Sequence, residues 1–76
     1  MRGDFEMNSF LVVFEPTHTG YSAYVPDLPG CVATGGTVTQ VETNLAGAIR
    51  LHLEGMAEDN MPIPQALSFA EKMVIA

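Results

Sequence analysis

The chain has 76 residues, 47% of them hydrophobic and 16% charged, which suits one small folded domain and excludes the low-hydrophobicity, high-charge profile of disorder. Nine acids against Arg2, Arg50 and Lys72 give a net charge of −6; three scattered cations cannot form the basic stripe that neutralises phosphates, so no direct nucleic-acid binding is expected. A single cysteine excludes an internal disulfide, and no C-x-x-C or paired Cys/His spacing offers a zinc site.

Residues 1–8, "MRGDFEMN", are polar and aperiodic and read as a loose lead-in to a single domain over 9–76. They carry acids where a secretory leader needs a positive and then an apolar region, so a cytoplasmic location is expected. Ser9 to Glu15, "SFLVVFE", is short, aromatic and β-branched, the composition of a strand. Its nearly unbroken apolar run predicts a strand covered on both faces or lying at a subunit contact, and it is far too short to cross a membrane. "PTHTG", Pro16 to Gly20, is turn chemistry, with Gly20 able to adopt the left-handed conformation that reverses a chain.

"YSAYV" alternates, with Tyr21, Ala23 and Val25 on one face, and predicts a hairpin partner for the first strand. In "PDLPGC", Pro26 ends that strand and Leu28-Pro29-Gly30-Cys31 has the proline-then-glycine centre of a type II turn. Asp27 is expected to accept hydrogen bonds from its own turn backbone. Cys31 then opens a third strand, "CVAT", which ends at Gly35-Gly36.

Thr37 stands three residues before Gln40, the spacing of a capping box, and opens a helix that runs to about Asp59. Val38, Val41, Leu45, Ala48, Ile49, Leu53 and Met56 fall at steps of three and four and line one apolar stripe. Gly47 interrupts the helix at a cost of about 1 kcal/mol relative to alanine; if it faces the sheet it would permit close approach there. Pro62 and Pro64 exclude helix from "NMPIPQ". Lys72 to Ala76 reads as a short final strand, with Leu67 and Phe69 anchoring the connection to it. The fold class is α+β, a three-stranded antiparallel meander packed against one long helix, in the order β-β-β-α-β. A chain this short, with neither metal nor disulfide, is expected to be stabilised as a homodimer or higher homo-oligomer.

Candidate chemistry is sparse. Cys31 lacks the adjacent base, cation or helix N-terminus that lowers a thiol pKa, so a buried, inert residue is the better expectation than a nucleophile. "GCVATGGT" has glycines but neither the lysine of a phosphate-binding loop nor dinucleotide-binding spacing. His18 falls in a turn and His52 on the helix, neither with a second ligand at helical spacing. Glu42, Glu54, Glu58 and Asp59 read most simply as a solvated helix face. No catalytic residue, cofactor or metal is expected.

The run "YSAYVPDLPGC", a glycine-containing gap, "TVTQVETNLAGAIRLHLE" and then "PIP" resembles the HicB-like antitoxin family. Pro26, Asp27, Leu28, Pro29, Gly30 and Cys31 match its P-D-L-P-G-C corner, and Thr37, Asn44, Ala48, Ile49, Leu51, Leu53 and Glu54 match its helix. The correspondence runs without gaps from about Phe10 to Pro64; Met61 and Gly47 are peripheral departures.

The resemblance implies a partial RNase-H-like fold without nuclease carboxylates, and a non-enzymatic protein that binds and neutralises HicA, a small basic toxin that cleaves mRNA. Many members carry a further C-terminal helix-turn-helix or ribbon-helix-helix domain that binds operator DNA. The sequence stops at Ala76, about where that domain would begin, so DNA binding is not carried over. Toxin contact is expected at the sheet edge and the acidic helix face, with Glu42, Glu54 and Glu58 as candidates chosen from charge and exposure. The alternative is a solitary binding or oligomerisation module of the same fold with no cognate toxin.

Overall fold

In the computed structural model, which describes residues 9–76, β1 (Val13–Pro16), β2 (Tyr21–Tyr24) and β3 (Val32–Gly35) form an antiparallel meander in the order β1-β2-β3. One helix, α1 (Val38–Glu58), follows and packs across a single face of the sheet. The lead-in expected over residues 1–8 lies outside the described residues.

The register sets Phe14 opposite Ala23 and Ala23 opposite Ala33. Strand pleating sends these three, with Val12, Tyr21, Val25 and Cys31, toward the helix. The helix answers with Val41 and Leu45, both buried, and with Ala48, Ile49 and Leu53 partly buried. The opposite face carries Val13, Tyr24 and Val32 in register, and Val32 remains 62% exposed. Among the described residues no element covers that face, so these residues cover β1 on one side only.

β1 is shorter than the apolar run implied. Extending the ladder beyond Val13↔Tyr24 would set Leu11 opposite Pro26, which has no N–H and already begins the next turn. Phe10 and Val12 therefore leave the ladder but still pack on the core. Gly20 is also used differently from the expectation, since its φ is not positive. It lies so close to the end of β3 that an added Cβ would fall against the Gly35 carbonyl oxygen and 2.7 Å from Gly36 Cα.

The helix ends are set by local chemistry. Thr37 Oγ1 accepts from the Gln40 N–H at 3.1 Å, and Gln40 Oε1 accepts from the Gly36 N–H at 2.8 Å. The reciprocal bond of the capping box thus reaches one residue further back than the usual pattern. At the other end Asn60 takes φ 57, the Met61 N–H donates to the Met56 carbonyl and the Asn60 N–H to that of Ala57. This is a Schellman closure with asparagine in the position that glycine commonly holds.

Gly47 does not face the sheet. A Cβ there meets nothing within 4 Å, so close approach does not explain it. Gly47→Ala is expected to raise stability by about 1 kcal/mol, read as a higher urea midpoint at unchanged m-value.

Residues 61–76 form neither helix nor strand, so the expected final strand at Lys72–Ala76 is absent. A strand needs a neighbour for its ladder, and among the described residues this segment pairs with none. Leu67 and Phe69 are not anchors either, being 72% and 84% exposed. The anchor is the polar residue between them, Ser68.

Candidate functional site

The corner between β2 and β3 is a double turn. The Leu28 N–H donates to the Val25 carbonyl at 3.0 Å and the Cys31 N–H to that of Leu28 at 3.1 Å, while the Val25 N–H closes the corner onto Cys31 at 3.2 Å. Gly30 has φ 87, the value that position requires in a type II turn, so the sequence expectation for Leu28–Cys31 holds. The corner folds Leu28 inward until it is fully buried, against Val25 and Cys31. Pro29 and Gly30 stay exposed, and Pro26 is half-buried.

Cys31 sits in this core at 3% exposure, and burial pushes its thiol above the ordinary value of 9.0. A buried, protonated thiol is a poor nucleophile.

Asp27 does not bond its own turn. Its Oδ2 accepts from the Ser68 N–H and its Oδ1 from the Ser68 hydroxyl, both at 2.8 Å. The carboxylate thus pins the chain after α1 to the β2–β3 corner, 41 residues away in sequence. The Ser68 N–H, and then its hydroxyl, hold the Asp27 carboxyl below the ordinary 3.8, with partial burial opposing them. Because the folded-state value is depressed, this tether contributes stability above about pH 3.8 and loses it as pH falls through the lower folded value. Carboxyl NMR titration should place the Asp27 midpoint below 3.8, with the Ser68 amide resonance moving in step. Ser68→Ala should return the midpoint toward 3.8.

The three acids Glu42, Glu54 and Glu58 are all exposed on α1 but do not form one patch. At 3.6 residues per turn, Glu54 and Glu58 lie about 120° and 160° around the helix from Glu42, and about 18 and 24 Å along it. Glu42 borders an apolar groove of about 230 Å³ between β1 and α1, with Val12, Phe14, Leu45, Ala46 and Ile49. Glu54 and Glu58 lie toward the C-terminal end of α1, beyond the fully buried Val41 and Leu45. The groove and the tether were not anticipated from sequence.

His18 is exposed in the first hairpin and His52 is half-buried on α1. Among the described residues, no three His, Cys, Asp or Glu side chains gather where they could hold a metal ion. No described helix is long and apolar enough to cross a membrane.

Comparison with known proteins gives a consistent result. Residues 10–74 match the family model described as HicB-like antitoxin of bacterial toxin-antitoxin system. An uncharacterized 14.9 kDa protein in the rep-hol intergenic region of Haemophilus phage HP1 is 38% identical over 55 residues, covering 72% of this chain and 41% of that protein. A UPF0150 protein of Synechocystis is 35% identical over 46 residues, covering 60% of this chain and 58% of its own. The chain therefore spans about two fifths and three fifths of these two relatives. Among solved structures, a chain of the HicA3 and HicB3 toxin-antitoxin complex superimposes with a TM-score of 0.57 at 26% identity, covering 71% of this chain and 66% of that one.

Proposed function

The chain belongs to the HicB-like antitoxin family, and from that premise we propose that it is a non-enzymatic antitoxin domain that binds and neutralises a HicA-type, mRNA-cleaving toxin. The match over residues 10–74, nearly the whole described chain, carries this reading, and the likeness to the HicA3 and HicB3 complex supports it. The composition fits: a chain of net charge −6 is suited to steer toward a basic RNA-binding protein and to cover the surface that RNA would occupy. Glu54 and Glu58, toward the C-terminal end of α1, would be one contact with such a partner, and Glu42 beside the groove would be a separate one. The protein would work in the cytoplasm as a homodimer, without cofactor or metal and without itself binding nucleic acid.

Co-expression with any HicA-type protein encoded beside its gene tests this. Growth should be restored by the full chain and not by a chain unfolded in its core. Continued toxicity with the folded chain present at equal or higher level would refute neutralisation.

A second function, as a solitary oligomerisation module, is favoured by one observation: Leu67, Phe69, Met73, Val74 and Ile75 are all at least 72% exposed. Self-association would cover these side chains. A full chain that self-associates but binds no HicA-type protein would select this alternative.

A further inference from the structure

Among the described residues the outer edge of β1 has no partner strand, and beside it runs the groove of Val12, Phe14, Leu45, Ala46 and Ile49, bordered by Glu42, which continues along α1 past Arg50 to Leu53. An unpaired edge next to uncovered apolar surface is a template for another strand. The chain carries a segment of matching character in Lys72–Ala76, "KMVIA", whose Met73, Val74 and Ile75 are 78%, 95% and 80% exposed. We infer that this segment of one copy docks antiparallel on the β1 edge of a second copy, and reciprocally, so that the dimer is closed by exchanged tail strands. This rests on the homodimer proposed above and adds how it is built.

The pattern of side chains fixes a register. Val12 and Phe14 point into the groove, so Val13 and Glu15 point to the opposite face of the sheet. With Lys72 opposite Glu15, Met73 falls beside Phe14, Val74 beside Val13 and Ile75 beside Val12. Met73 and Ile75 then fill the groove, Val74 extends the apolar ladder of Val13, Tyr24 and Val32 on the open face, and Lys72 meets the carboxylate of Glu15. Apolar residues on both faces of the tail strand find apolar neighbours on both faces of the sheet. No other register in the same direction pairs the lysine with an acid while keeping Met73 and Ile75 over the groove.

The occupant is a second copy for a geometric reason. Ser68 is tied to Asp27 in the corner beyond the Val13 end of β1. A chain's own tail would therefore enter the groove from that end and run parallel to β1, carrying Lys72 toward the apolar start of the strand. In the structure the chain's own residues 71–76 are exposed and border no part of the groove. The tether holds the base of the tail and leaves the last residues free to reach another copy, the arrangement from which reciprocal exchange closes a two-fold dimer.

Light scattering on the full chain should give twice the 8.2 kDa chain mass, and a chain ending at Glu71 should give half of that at the same concentration, with its helical circular dichroism retained. Disulfide cross-linking of full-length chains does not depend on how the truncation folds. Val13→Cys in one copy and Val74→Cys in another, with the buried Cys31 left in place, should form a covalent dimer on mixing. A disulfide within one chain that carries both substitutions would overturn the exchange, as would no cross-link on mixing. A dimer that persists without the tail would refute the exchange and leave the homodimer standing, whereas a monomeric full chain would refute both. Neither outcome bears on toxin binding, which is read separately.

Discussion

Leu28→Ala is expected to remove a large share of the stability of this domain, at a cost of about 2–5 kcal/mol. Marginal stabilities of roughly 0.05–0.15 kcal/mol per residue give a chain of this length only about 4–11 kcal/mol to lose. Leu28 is fully buried, its carbonyl accepts from Cys31 and its N–H donates to Val25, so the cavity would open at the point where the β2–β3 corner is closed. Cys31 supplies a second readout: it is 3% exposed in the wild-type fold, and its modification by a thiol reagent should be slow there and much faster in the variant. Leu51→Ala is the control, since Leu51 is 71% exposed and its truncation should stay within about 0.5 kcal/mol. Equal midpoints for the two variants in urea would show that the corner does not contribute to the core.

Gly20→Ala is the second large effect, expected to cost about 1–3 kcal/mol by overpacking. The atoms in the way are the Gly35 carbonyl and Gly36 Cα, which are backbone and cannot swing aside as a side chain would. Moving them would disturb the start of α1 as well, because the Gly36 N–H is held by Gln40 Oε1 at 2.8 Å. The sign should be opposite to that of Gly47→Ala, where the added methyl meets open space. The same substitution at two glycines thus separates a glycine required by packing from one that merely loosens a helix, and a rise in the urea midpoint for Gly20→Ala would contradict the close approach described here.

These residues also show what could be read from the chain alone. The turn chemistry of Pro29-Gly30 and the threonine cap of α1 were legible because both are local: a proline-glycine pair or a Thr-x-x-Gln spacing dictates its own hydrogen bonds. That Leu28 would be the inward side chain of the corner was not, because "PDLPGC" has no periodicity that marks an apolar face. Gly20 looked like a φ requirement, and only the approach of two strand ends reveals a steric one. Asp27 is the clearest case. Its expected local bond is physically reasonable, but Ser68, distant in sequence, competes for the same carboxylate and wins with two donors. The final strand failed for a related reason: "KMVIA" has strand composition, but composition cannot supply a neighbour. Charge and exposure single out the three acids, and their angular spread on α1 separates Glu42, beside the groove, from Glu54 and Glu58.

Calorimetric titration of the full chain into a HicA-type protein encoded by a neighbouring gene of its own genome, wherever one is found there, at low and at raised salt, most directly tests whether this is an antitoxin. The account predicts a saturable complex with a Kd of about 1 μM or tighter, equivalent to about −8.2 kcal/mol, that weakens as salt screens the acidic chain from its basic partner. A folded chain that gives no saturable binding to that protein at either salt would contradict it.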